Sequence, residues 1–167
     1  MQDAAGKPVP GGELGRLALK GPTGCRYLAG DRQGTYVQNG WNLTGDTFVR
    51  DAEGYFWLQA RSDDMIISSG YNISGPEVEN ALLLHADVAE VVVVGAADPD
   101  RGAIAKAFVI PKPGVARTDD TVKVRQDFVE AQIAPYKYPR AITFVDSLPR
   151  TSTGKVQRFQ LRRETNI

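Results

Sequence analysis

One cysteine and one histidine are all that this 167-residue sequence offers for soft-metal or nucleophile-base chemistry. Cys25 has no partner for an intramolecular disulfide, and with only His85 beside it the chain cannot assemble a Cys/His zinc centre or a Ser-His-Asp triad of the usual kind. No metal site is therefore expected. Excess charge is also lacking, because 20 basic side chains face 20 acidic ones, and a surface built to coat nucleic acid is excluded on that balance. No apolar run reaches the length of a membrane span or of a signal peptide's apolar segment. Together these absences lead us to expect a soluble protein of a reducing compartment, the cytoplasm, with no nucleic acid and no membrane among its partners.

What is present suffices for a core: 42% of residues are hydrophobic and 24% charged, so disorder is excluded. A single domain of this size would bury roughly 70% of its unfolded surface. The first sixty residues read as short strands punctuated by turns: Glu13 to Lys20, a glycine-rich stretch, Thr47 to Val49, and Tyr55 to Ala60 after the turn Asp51-Ala52-Glu53-Gly54. From Asp64 the pattern changes. The apolar run Met65-Ile66-Ile67 and the turn Ser68-Ser69-Gly70 precede Ser74-Gly75-Pro76-Glu77, whose spacing predicts a capping box and a helix with Val78, Ala81 and Leu82 on its apolar face. His85 falls near the end of that helix. Val88 to Val94 and Ala103 to Ile110 predict two strands around Asp98-Pro99-Asp100-Arg101-Gly102. A second helix is expected from about Thr121 to Ile133, with Val124, Phe128 and Ala131 inward, stopped by Pro135 and Pro139; Ala141 to Val145 follows as a third strand. The polar segment Pro111 to Asp120 is expected to be a mobile loop.

The expected fold class is α+β: a small β-rich piece, residues 1–62, followed by a compact α+β domain, residues 63–167, with about three main strands plus a hairpin packed by helices. The first piece is short for an independent core and is expected to be part of something larger.

Four segments carry candidate chemistry. Pro149-Arg150-Thr151-Ser152-Thr153-Gly154-Lys155 predicts a tight exposed loop presenting a lysine to an anion. It is not a nucleotide P-loop: Pro149 stands where glycine is needed and Val156 where Ser or Thr is needed. In Gly40-Trp41-Asn42-Leu43-Thr44-Gly45-Asp46 an aspartate follows glycine in an expected turn, and its acceptor-only carboxylate suits a ribose diol. Arg61-Ser62-Asp63-Asp64 runs into Gly70 and Pro76-Glu77-Val78-Glu79, and Tyr136-Lys137-Tyr138-Pro139-Arg140 closes the second helix. Singly, each reads more readily as a turn, a solvated charge run or a helix stop.

In this order, the segments resemble the AMP-forming acyl-CoA synthetases, within the group that also holds luciferases and peptide-synthetase adenylation domains. The run Ser62 to Glu79 is similar to ligases for benzoate and 2-aminobenzoate. The resemblance implies a two-step reaction using ATP, with Mg2+ bound through its phosphates, and coenzyme A: a carboxylic acid becomes an acyl-adenylate and then a thioester. It implies Lys155 as the catalytic residue, Asp46 and Arg61 as nucleotide-binding residues, Asp63 as a hinge and Gly70 on the pantetheine channel. It also implies a missing N-terminal adenylation domain, without which the fragment would be inactive; a homo-oligomer is left open. The chain departs from the family pattern at Ala60, Ile67 and Gly75-Pro76. The alternatives are an adenylation-domain fragment serving a carrier protein, or a non-catalytic binding module whose exposed strand edges recruit a partner.

Overall fold

In the computed structural model, residues 1–22 and 32–165 are described; Cys25 and the middle of the glycine-rich stretch lie outside them. The chain divides into two compact units, Met1–Asp63 and Asp64–Ile167.

The first unit is an antiparallel sheet organised on one long strand. That strand, β3 (Trp41–Arg50), pairs with β1 (Leu14–Leu19), β2 (Val37–Gln38) and β4 (Phe56–Arg61). A five-residue helix, α1 (Arg32–Tyr36), precedes β2. The β2–β3 turn is Asn39-Gly40, both at positive φ (51° and 76°), the conformation that Asn-Gly adopts most readily in a two-residue hairpin. The β3–β4 turn is built on Asp51: its carboxylate accepts the Glu53 and Tyr55 amides at 3.0 and 2.9 Å and the Trp57 indole N–H at 2.7 Å. On β4, Phe56, Trp57 and Leu58 remain exposed.

The second unit has the expected three main strands and a hairpin. β5 (Met65–Ser68) and β6 (Tyr71–Ser74) form the hairpin, and α2 (Gly75–Leu83) follows directly. β7 (Val88–Asp98) and β8 (Gly102–Pro111) are antiparallel, α3 (Asp119–Gln132) crosses over, and β9 (Ala141–Phe144) returns parallel to β8. A short helix, α4 (Arg158–Thr165), ends the unit. Side chains alternate across β7, so Val91 and Val93 enter a cluster with Ile73, Val78, Leu82 and Val129, while Val92 and Val94 enter a second with Phe108, Leu148 and Leu161. Burial on both faces explains why this strand reads as an unbroken valine run.

Two helix expectations need correction. α2 starts at the expected place, but Ser74 makes no side-chain cap bond. Its presumed capping-box partner, Glu77, instead accepts both contacts of Lys137 Nζ at 2.7 and 2.8 Å. The capping box that does form is Thr118 with Thr121, at the start of α3. Within α3, Phe128 is partly buried against the core, whereas Val124 and Ala131 are exposed, and the fully buried positions are Arg125 and Val129. Arg125 earns this place by donating to the Thr121 carbonyl at 2.6 Å, lying 3.6 Å from Asp87 and covering the Phe144 ring.

The Trp57 indole bond, with the amides of Tyr55, Glu53 and Gly54, lowers the pKa of Asp51 below its usual 3.8. A depressed folded-state pKa stabilises the turn above pH 3.8 and loses that contribution as pH falls through the lower folded value. We expect the indole N–H resonance of Trp57 to titrate with a midpoint below 3.8. A midpoint at or above 3.8 contradicts the assignment.

Candidate functional site

The first unit carries a carboxylate and a guanidinium on neighbouring strands. Asp46 and Arg61 are direct Cα partners across β3 and β4. Asp46 is therefore a strand residue, not the turn residue expected from Gly45-Asp46. The glycine marks an irregularity instead: Gly45 sits at φ +82°, and the β1–β3 register shifts between Arg16 and Ala18, opposite this segment. The Thr44 hydroxyl donates to the Leu17 carbonyl at 3.3 Å and accepts the Asp46 amide at 3.2 Å. Buried Thr47 donates to the Ala60 carbonyl at 2.8 Å, tying β3 to β4 one residue from the pair. A cavity of about 360 Å3 opens here, lined among others by Arg16, Tyr36, Thr44, Gly45, Arg61 and Asp63. Two guanidinium groups and an acceptor at its wall suit a polar, anionic ligand.

In the second unit, Lys155 lies on the expected tight loop. Arg150 and Val156 form an isolated antiparallel bridge at its base, the Thr151 amide donates to the Lys155 carbonyl at 2.8 Å, and the Gly154 amide donates to the Thr151 carbonyl at 2.9 Å. Gly154 takes φ +83°, which a residue with a Cβ rarely adopts. The Lys155 side chain is exposed and its ammonium has no hydrogen-bond or ion-pair partner among the described residues. The loop's other cation is engaged: Arg150 bonds the Gly154 carbonyl and pairs with Glu90 on β7.

Gly70 lies elsewhere in this unit, at the tip of the β5–β6 hairpin. The turn Ser69-Gly70 has both residues at positive φ, 49° and 83°, and the Ser69 amide is tied to the Arg101 carbonyl at 2.9 Å. A Cβ at Gly70 would meet nothing within 4 Å, so the tip is open. Beside it Tyr71 stacks on Tyr136, centroids 4.6 Å apart.

Sequence reasoning missed the contacts that dock α4. Arg158 donates to both Glu79 oxygens at 2.8 and 2.7 Å, and Arg162 to Asp64 at 3.1 Å. Their i,i+4 spacing was the available signal. Among the described residues no cluster of three or more His, Cys, Asp or Glu could hold a metal ion, and no helix is long and apolar enough to cross a membrane.

Residues 77–155 match the family of AMP-binding enzyme C-terminal domains, which sets the class of the second unit. The chain is 41% identical to an uncharacterized acyl-CoA ligase, YtcI, of Bacillus subtilis, over 95% of its own length but 34% of that protein. The anthranilate CoA ligase AuaEII, solved in complex with anthranoyl-AMP, superposes with a TM-score of 0.84 at 38% identity, covering 99% of this chain and 32% of AuaEII. A benzoate CoA ligase from Burkholderia xenovorans LB400 matches at 37% identity with a TM-score of 0.78, covering 96% of this chain and 32% of that one. The relatives the chain resembles are acyl-CoA and aryl-CoA ligases, and the resemblance falls on their C-terminal portion. The chain spans about a third of the length of these relatives.

A Cβ at Gly45 would stand 3.0 Å from Arg61 Nη2 and would have to tolerate φ +82°. Gly45→Ala is therefore expected to destabilise the first unit by about 1 to 3 kcal/mol. Trp41 and Trp57 both lie in that unit, so chemical denaturation followed by tryptophan fluorescence reads it directly. An unchanged midpoint contradicts the geometric role given to Gly45.

Proposed function

We propose that this chain is the C-terminal part of an ATP-dependent, AMP-forming acid-CoA ligase acting on an aromatic carboxylic acid. The observation that carries this reading is the unpaired ammonium of Lys155 on a loop whose backbone is bonded on both sides of it and whose other cation, Arg150, is engaged. A cation so presented is suited to an anion brought to it from outside the loop. In the proposed first step a carboxylate oxygen attacks the α-phosphorus of ATP, the bond to the β-phosphate breaks and pyrophosphate leaves. Negative charge on the phosphoryl oxygens is met by Lys155, a preorganised donor whose loss costs about 3 to 4 kcal/mol. In the second step the coenzyme A thiol displaces AMP from the acyl carbon.

Asp46 accepts hydrogen bonds from the ribose hydroxyls, and Arg61, across the strand pair from it, meets the ribose or phosphate side of the same nucleotide. The place of Arg61 on the cavity wall and the opposite charge of its cross-strand partner Asp46 support that division of labour. Mg2+ would arrive with the nucleotide, bound through its phosphates. We assign residues 1–62 to the end of the large adenylation domain and residues 63–167 to the smaller C-terminal domain, with Asp63 as the hinge and Gly70 on the pantetheine channel. An aromatic acid is favoured by the likeness to ligases for anthranilate and benzoate. We place the enzyme in the cytoplasm.

The test is to fuse this chain behind the N-terminal two-thirds of an acyl-CoA synthetase relative and measure ATP-pyrophosphate exchange with benzoate or 2-aminobenzoate. Exchange is expected, followed by release of the coenzyme A thioester. Lys155→Ala should lower exchange on the order of a thousandfold. Exchange indifferent to that substitution removes the lysine assignment, and a fused protein that folds but exchanges nothing supports a non-catalytic module instead.

A further inference from the structure

The peptide group joining Gly154 to Lys155 is gripped from both sides. Its carbonyl accepts from Arg150 Nη1 at 2.8 Å, and its N–H donates to Thr151 Oγ1 at 3.1 Å. The next carbonyl, that of Lys155 itself, accepts the Thr151 amide at 2.8 Å. Both peptides flanking the Lys155 Cα are therefore fixed, and with them the direction in which the side chain leaves the loop. Thr151 is within the loop and moves with it. Arg150 does not merely move with it, because its other terminal nitrogen pairs with Glu90 on β7. One planar fork thus joins the turn carbonyl to the central sheet. The Gln157 amide donates to the Pro149 carbonyl at 2.8 Å, closing the stem below the fork.

We propose that Arg150 is a positioning residue for Lys155: its guanidinium fixes the Gly154–Lys155 peptide relative to β7 and so aims the lysine ammonium. The proposal rests on the reading of Lys155 as the residue that meets the reacting phosphate. It assigns Arg150 no contact with substrate. The Arg150–Glu90 pair is half exposed, with side-chain exposures of 42% and 47%, and pairs of that kind contribute little to global stability. What it supplies is direction, and a misplacement of about 1 Å at a reacting centre costs up to a hundredfold in rate.

Two measurements test this. On the 167-residue chain, backbone amide order parameters are compared between wild type and Arg150→Gln. Order is expected to fall at residues 151 to 155 while the amides of β7 and β8 keep theirs. In the fused enzyme, Arg150→Gln should lower kcat for pyrophosphate exchange roughly tenfold to a hundredfold with the KM for ATP unchanged. Arg150→Lys should not restore it, since a single ammonium cannot span the Gly154 carbonyl and Glu90 as a planar fork does. An unchanged loop, an unchanged kcat, or full rescue by lysine overturns the proposal. The amide measurement needs no activity, so a loop that loosens as expected in a fused enzyme indifferent to Lys155→Ala would remove the functional reading, and the positioning role with it, while the staple itself would still have been observed.

Discussion

A carboxylate held almost out of water must be matched by donors, and the second unit is assembled around one such match at Glu79. This side chain on α2 accepts the Val93 amide of β7 at 2.8 Å and both contacts of Arg158 at 2.8 and 2.7 Å. Removing either partner would strand charge in a poorly solvated site, a far larger penalty than loss of an exposed pair. The geometry also disposes of an edge. β7 has β8 on one side only, and on its other side α2 covers it: Glu79 satisfies the Val93 amide, while Gly75 comes so close that a Cβ would lie 3.0 Å from the Val93 carbonyl. Helix, sheet edge and α4 thus meet at one carboxyl group.

The lysine loop inherits its rigidity from that arrangement. Leu148 just before the loop and Leu161 just after it are buried in the same cluster, on the opposite face of β7 from α2, with Val156 packed against them. Arg158, three residues beyond Lys155, is tied to Glu79. Arg150, five residues before it, is tied to Glu90. Each end of the loop is consequently fixed both by apolar burial and by an ion pair, and both ion pairs refer to β7 or to the helix that covers its edge. Such a loop does not reorient alone.

Where burial of apolar groups decides structure, the sequence was legible. The strands around Val91 and Val109 and the α2 face of Val78, Ala81 and Leu82 stand where the pattern put them, because apolar periodicity is a direct record of what faces the core. Where polar contacts decide, it was not. α4 buries only Leu161 and is docked by Arg158 and Arg162, so its pattern carries almost no apolar signal. The inward face of α3 was misread because Arg125 reads as a surface residue, yet its charge is matched by the Thr121 carbonyl one turn back and by an aspartate and an aromatic face that lie far off in sequence. Asp46 read as a turn because Gly45 punctuates; that glycine interrupts a strand instead, and a positive φ inside a ladder has no local sequence mark of its own. Of the candidate site, the identities of the charged residues were readable, while the pairing of Asp46 with Arg61 and the anchoring of Arg150 depended on strand register.

The cations around the lysine loop bear on the proposed catalytic reading. A surface that only adheres to an acidic partner is best served by several mobile cations, each free to find its own anion. Arg150 and Arg158, which flank the lysine loop, are engaged instead. Lys137 is paired with Glu77, Arg150 with Glu90, Arg158 with Glu79 and Arg162 with Asp64, and Lys155 stands unpaired at the end of a loop whose backbone is bonded on both sides of it. Fixing the backbone of an exposed residue costs conformational entropy, on the order of 1 to 2 kcal/mol per residue, and a merely solvated lysine returns nothing for it. Under the proposed function the return is an ammonium that arrives at one place in one orientation, beside a phosphorus atom undergoing displacement.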